Sequence, residues 1–270
     1  MTSSATRARS MVLLFLVGTL SAACDTSTGT GGAGGGTTST SSVTTASTSS
    51  TSTGATTSGT ATGTGSSTSS GMGGPPTAAE LLALTATCDV ASASKYATDE
   101  GEANTVDVCA LSGAFFWTSD FDVDCDGKMT IQCKPSTDAA YQPETSATDS
   151  QGDPLDAAGL PYFVIPLPSA KWDFGAAGIQ LGDVGAVVYN GKVVYAVFGD
   201  EGPNGIIGEG SYALAEALGI DPDPSTGGSD GPVTFIVFPG ANAVVSPIED
   251  HQAATALGEA LATKLLQDNP

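Results

Sequence analysis

The sequence predicts a mainly β domain with two or three peripheral helices, and three observations carry that expectation. The first is a pair of β-branched and aromatic runs, Gly185–Tyr189 and Lys192–Phe198, joined by Asn190-Gly191. Asn-Gly supplies the two positive φ angles that a tight hairpin turn requires. The second is Val233–Phe238, an unbroken apolar run of strand length that suits a buried central strand. The third is the scarcity of helix signals, which are confined to three stretches.

Taken in order, residues 1–24 read as an export signal. Arg7 and Arg9 precede the apolar run Met11–Leu20, too short to span a bilayer and of the right length for a signal core. Leu20-Ser-Ala-Ala-Cys24 resembles a bacterial lipoprotein processing site, which implies a lipid on Cys24. Residues 25–77 are Ser, Thr and Gly with almost nothing apolar, so they are expected to form a flexible tether. Residues 78–270 are long enough for one domain with a sizeable core.

Within that domain, Thr77-Ala-Ala-Glu80 matches a capping box and opens a helix through about Thr85. Ala114–Trp117 and Tyr162–Ile165 are short β-prone runs bounded by Gly and Pro. The hairpin follows, delivering Asp200 where its second strand ends. Ser211–Leu218 reads as a helix stopped by Gly219, and Ser246-Pro-Ile-Glu249 as a second capping box opening a helix to about Leu266.

Lys and Arg number 8 against 29 Asp and Glu; without the signal, six lysines remain and the net charge is −23. Such a surface repels nucleic acid and anionic lipid and attracts polycations. Besides Cys24 there are four cysteines, Cys88, Cys109, Cys125 and Cys133. In an exported domain they point to two disulfides, and of three connectivities the sequence-local pairs Cys88–Cys109 and Cys125–Cys133 are expected.

Catalytic side chains are few. His251 is the single histidine, no arginine follows Arg9, and no Gly-x-Ser-x-Gly elbow occurs. What stands out is Asp200 and Glu209, flanking the glycine-rich turn of Val197–Ser211. Two carboxylates held close are the minimum equipment for acid/base cleavage of a glycosidic bond. Asp122-x-Asp124-x-Asp126-Gly127 fits the first half of a calcium loop, but position twelve is Cys133 instead of glutamate, so no metal is expected.

Several motifs occur in one order: Ala114–Trp117 with Asp120–Gly127, Tyr141–Ser146, Leu155-Asp-Ala, Leu160–Pro166, Gly182-Asp-Val with the hairpin, Phe198-Gly-Asp200, and Ile207–Ser211. This series resembles glycoside hydrolase family 75, the fungal-type chitosanases, over about residues 109–240. The resemblance implies endo-hydrolysis of β-1,4 glucosamine linkages by Asp200 and Glu209 without a cofactor. It also implies inversion, and hence carboxyls roughly 6.5–9.5 Å apart. The chain departs from the family pattern in Gly210, where alanine is usual, and in a shorter Asp-to-Glu loop. Ala196-x-x-x-Asp200-x-Gly followed by Ile-x-Gly is similar to the double-psi barrel of membrane-bound lytic transglycosylases. That likeness implies a β-barrel, with Asp200 as acid and Glu209 as base.

With glucosamine as substrate, Asp120, Asp122, Asp124, Asp183 and Glu201 are the carboxylates expected to grip its ammonium groups, and Trp117 the stacking face. Asp183 reads equally as a turn residue, and the Asp120–Asp124 run as an acidic hairpin tip. The partner is then chitosan, with no nucleic acid, membrane contact only through the lipid, and a monomeric chain. The alternatives are a peptidoglycan-cleaving, transglycosylase-like enzyme and a non-catalytic polysaccharide-binding lipoprotein.

Overall fold

The computed structural model describes residues 74–270. The expected export signal, the lipidation at Cys24 and the tether up to residue 73 lie outside the described residues.

The elements run α1 (Ala78–Leu84), β1 (Asp89–Val90), β2 (Cys109–Leu111), β3 (Ala114–Asp124), β4 (Tyr162–Pro166), β5 (Val184–Tyr189), β6 (Lys192–Gly202), β7 (Glu209–Ser211), α2 (Tyr212–Leu218), β8 (Ser229–Val237) and α3 (His251–Asp268). Strand order is β1-β2-β3-β7-β4-β6-β5-β8, and a further β3–β8 pairing closes six of them, β3 to β8, into a barrel. Two pairs are parallel, β3 with β7 and β4 with β6; the other barrel pairs are antiparallel. The mainly β barrel with three helices is thus the fold the sequence implied.

Strand alternation sorts the barrel into two apolar layers. Trp117, Phe121, Phe163, Phe198 and Phe235 fill the inside. Phe116, Tyr162, Val164, Tyr195 and Ile236 face outward, where α1, α3 and the connecting loops cover part of that face. Gly258 lets α3 approach closely, because a side chain there would strike the ring of Tyr195.

The local signals mostly hold. The hairpin turn has φ 48° at Asn190 and 79° at Gly191. Thr77 and Glu80 close the capping box of α1, and Gly219 ends α2 with φ 81°. Both disulfides are the sequence-local pairs, Cys88–Cys109 and Cys125–Cys133.

One boundary differs. The last helix starts at His251, not at Pro247, and runs to Asp268. Its N-cap is Asp250, whose carboxylate accepts the N–H of Ala253 at 3.0 Å. Glu249, cast as the far half of a capping box, is instead bound by the backbone and hydroxyl of Ser150.

Candidate active site

The Asp200 end of β6 outruns its hairpin partner, since β5 stops pairing at Val184 opposite Val197. Beyond that point β6 keeps β4 on one edge, and the loop around Ser146 takes the other through Ala147 N donating to Gly199 O at 3.1 Å. The β4–β6 register shifts here: Phe198 pairs with Phe163, but Asp200 pairs with Val164, leaving Gly199 as the extra residue. Phe198 points into the barrel. Without the bulge, strand alternation would send Asp200 inward as well; the extra residue turns it to the outer face beside Val164. Glycine is required, because a Cβ at Gly199 would lie 2.7 Å from Tyr162 and 2.9 Å from Leu155.

Glu209 reaches the same face from β7. Phe163 pairs with Gly210, so antiparallel register sets Glu209 on the other flank of Val164. A Cβ on Gly202, two residues beyond Asp200, would lie 2.6 Å from Glu209 Oε2 and 3.0 Å from Val164 Cγ1. The glutamate therefore extends across β4 toward β6. On its far side Glu209 pairs with Asp122 of β3, and Asp124 pairs with Ser211. Asp200, Val164, Glu209 and Asp122 make one row across four strands, with Asp124 next to it.

Each acid has its own setting. Asp200 is buried, and three donors converge on its Oδ1: Ser146 N at 2.8 Å, Ser146 Oγ at 2.7 Å and Glu201 N at 2.8 Å. Burial pushes its carboxyl above the usual range, against the pull of those bonds. Glu209 has no such relief: burial, then the charges of Asp124, Asp122, Asp200 and Asp120, hold it well above an ordinary glutamate. Asp124 is pushed up to about 7 by burial and by Asp200, although its Oδ1 accepts Asp126 N at 2.8 Å. Asp126 rises to about 9 by burial and by Asp124, and its Oδ1 takes Gln142 N at 2.6 Å. Tyr162 donates to the carbonyl of Asp126 at 3.0 Å, under the same cluster.

The acidic face continues along β3. Carboxylate oxygens of Asp99, Asp120 and Asp122 lie within 4.8 Å of one another, a spacing that a cation or an ammonium group could bridge. Asp120 is buried and opens onto a groove of about 510 Å³ that is also lined by Asp99, Glu102 and Asp230. On the Ser146 side of Asp200, a second groove of about 470 Å³ has Leu181, Val244, Pro247 and Ile248 among its lining. The half-calcium loop does not converge on one point; Asp124 and Asp126 are occupied with backbone N–H groups.

Sequence-expected residues thus divide. Asp200, Glu209, Asp122 and Asp124 meet on one face, Asp120 extends it, and Glu201 is half-buried beside Asp200. Trp117 is a correction: it points into the barrel, is fully buried, stacks on Phe235 at 5.3 Å and meets Phe163 edge-on at 6.5 Å. No sugar reaches its face. Asp183 is a second correction: it is fully buried and accepts Gln180 N at 2.9 Å, so it serves the turn and not a cleft. Sequence reasoning gave no role to Ser146, Gly199 or Asp99. Ser146 lies 54 residues from its partner Asp200, and only folding brings them together.

The family described as fungal chitosanase of glycosyl hydrolase group 75 matches residues 121–264, more than half the chain. An endo-chitosanase C of Aspergillus oryzae is 32% identical over 136 residues, covering 49% of this chain and 33% of the relative. An endo-chitosanase of Aspergillus oryzae (strain ATCC 42149 / RIB 40) is 33% identical over 146 residues, covering 50% and 60%. An endo-chitosanase B of Aspergillus oryzae is 34% identical over 154 residues, covering 51% and 64%. The chain spans from a third to just under two thirds of the length of these relatives.

Proposed function

Because the chain belongs to the fungal chitosanase family of glycosyl hydrolase group 75, we propose that it hydrolyses β-1,4 bonds between glucosamine units within chitosan. The observation that carries this reading is the row in which Asp200 and Glu209 flank Val164 on one face, amid further carboxylates. A two-acid hydrolase needs one carboxyl protonated and one ionised at working pH. Glu209, crowded by like charges, suits the acid; Asp200, stabilised by three hydrogen bonds, suits the base. This reverses the roles expected from the sequence.

In the proposed step, water held against Asp200 attacks the anomeric carbon and gives its proton to that carboxylate. Glu209 protonates the departing glycosidic oxygen, and the product emerges with inverted configuration. The surrounding acids suit a substrate bearing ammonium groups, through attraction that strengthens where water is partly excluded. Chitosan is such a polymer, whereas the same charges oppose an anionic wall polymer.

Export and anchoring belong to the same reading. Two disulfides fit an oxidising compartment. The reading adds cleavage before Cys24, a lipid on that residue, and a tether of residues 25–77 holding a monomeric domain away from the membrane.

The test is incubation of the protein with chitosan, following viscosity, new reducing ends and product anomers by NMR. Rapid viscosity loss with initial α-anomer supports the reading. Binding without shortening points to a polysaccharide-binding protein, and cleavage of purified peptidoglycan instead points to the transglycosylase-like alternative.

A further inference from the structure

We propose that Ser146 is a positioning residue for this hydrolysis: it locks Oδ1 of Asp200, so that only Oδ2 takes the proton of the attacking water. The inference rests on the functional reading above for its chemistry, but its physical content is a hydrogen-bond arrangement around one oxygen.

Ser146 gives Asp200 Oδ1 two of its three donors, the backbone N–H at 2.8 Å and the hydroxyl at 2.7 Å. The direction of the hydroxyl proton is set as well. Glu201 N lies 3.2 Å from Ser146 Oγ and 2.8 Å from Asp200 Oδ1, so its N–H is shared between the two oxygens. With that N–H approaching, Ser146 Oγ acts as acceptor toward Glu201 and keeps its own proton for Asp200. Three donors saturate Oδ1 and fix the plane of the carboxylate. A proton arriving from water then has Oδ2 as its acceptor.

The arrangement also explains how a base survives in this setting. The titratable groups facing Asp200 are Glu201 on its own strand, Asp124 at the end of β3 and Asp126 just beyond it, Glu209 on β7 and the phenol of Tyr162 on β4. All are acids or neutral. Burial and the Glu201 charge oppose ionisation of Asp200, and the donors from Ser146 and Glu201 oppose them in turn. Ser146 carries no charge, so its contribution does not titrate away.

The Ser146 loop is held independently of the hydroxyl. Ala147 N donates to Gly199 O at 3.1 Å, and buried Thr145 ties the segment through its hydroxyl to Ala147 O at 2.7 Å and Leu155 N at 2.9 Å. Removing Ser146 Oγ therefore leaves the backbone donor and the loop in place. Ser146→Ala then tests one hydrogen bond, and Ser146→Thr restores it.

Two measurements decide. In the full-length protein, Ser146→Ala is expected to move the acid limb of kcat/KM upward by about one pH unit. Below that limb kcat falls about tenfold with little change in KM, and Ser146→Thr returns the profile toward wild type. A merely structural role would not move the limb. Independently of turnover, the Asp200 carboxyl titration followed by carbon NMR should shift upward in Ser146→Ala. A wild-type protein inert on chitosan overturns the functional reading alone. An Asp200 titration midpoint unmoved in folded Ser146→Ala overturns this proposal, as does a fall in kcat with the limb unmoved.

Discussion

Glu209 occupies the space that a side chain at Gly202 would need: a Cβ there would lie 2.6 Å from Oε2, though the two residues sit on strands separated by β4. Gly202 does not have a positive φ, so alanine suits its backbone; the main clash falls on the movable end of Glu209, and Val164 Cγ1, at 3.0 Å, has to give only slightly. Gly202→Ala is expected to keep its melting temperature within a few degrees while losing roughly 10–100-fold in kcat, because small displacements of a catalytic group are costly. Thermal melts beside chitosan turnover check this. Wild-type turnover in Gly202→Ala would mean that the position of Glu209 over β6 is irrelevant to the reaction.

The acid and base can be told apart by leaving group. Asp200→Asn and Glu209→Gln should each lower turnover on chitosan by about 10²–10⁴-fold with the fold retained. On an aryl glycoside of glucosamine, whose leaving group needs little protonation, Glu209→Gln should recover much of its rate and Asp200→Asn should not. The reverse pattern would hand the acid role back to Asp200, as the sequence likeness implied.

Local chemistry was legible in the sequence wherever neighbours along the chain decided it. Asn190-Gly191 dictates its hairpin because both φ angles must be positive, and Thr77 with Glu80 closes its own box. Sequence-local disulfides formed for the same reason. The proposed catalytic pair was visible as motif chemistry, but its orientation was not: Asp200 faces outward only because Gly199 is a bulge, and a bulge is defined by the partner strand. Trp117 misled because aromatic character does not reveal which side of β3 it takes, and strand parity placed it inside. The start of α3 misled because Asp250 and Ser150, not Ser246, satisfy the groups in question.

The alkaline edge of activity should depend on Asp124. Glu209 must hold its proton to act as acid, and Asp124 is the foremost charge raising it. Asp124→Asn removes that charge, so the Glu209 proton is lost at lower pH and the alkaline limb of kcat/KM should move down, by up to about one unit. The acid limb, set by Asp200, should stay put, since it is the Asp200 charge that raises Asp124, which is pushed up to about 7 and is still protonated where Asp200 ionises. Profiles of the two proteins across pH 4–10 read both limbs together. An alkaline limb that stays put, with folding intact, would separate Glu209 from this cluster.

Stability should fall as pH rises, with Asp183 among the causes. Its fully buried carboxyl is pushed up to about 7 by burial, whereas an unfolded aspartate titrates near ~4. Between those values the folded state binds more protons than the unfolded state. The contribution of Asp183 is therefore fully present below pH ~4 and lost as pH rises through about 7. Asp124 and Asp126 slope the same way, the latter up to about 9. Even one unit of elevation, about 1.4 kcal/mol, moves Tm by roughly 3–6 °C in a domain of this size. Asp183→Asn keeps an acceptor for Gln180 N but has no proton to lose, so its Tm should decline less than that of wild type between pH 5 and pH 8. Equal declines in the two proteins would assign the whole slope to the acids around Asp200 and acquit the turn at Asp183.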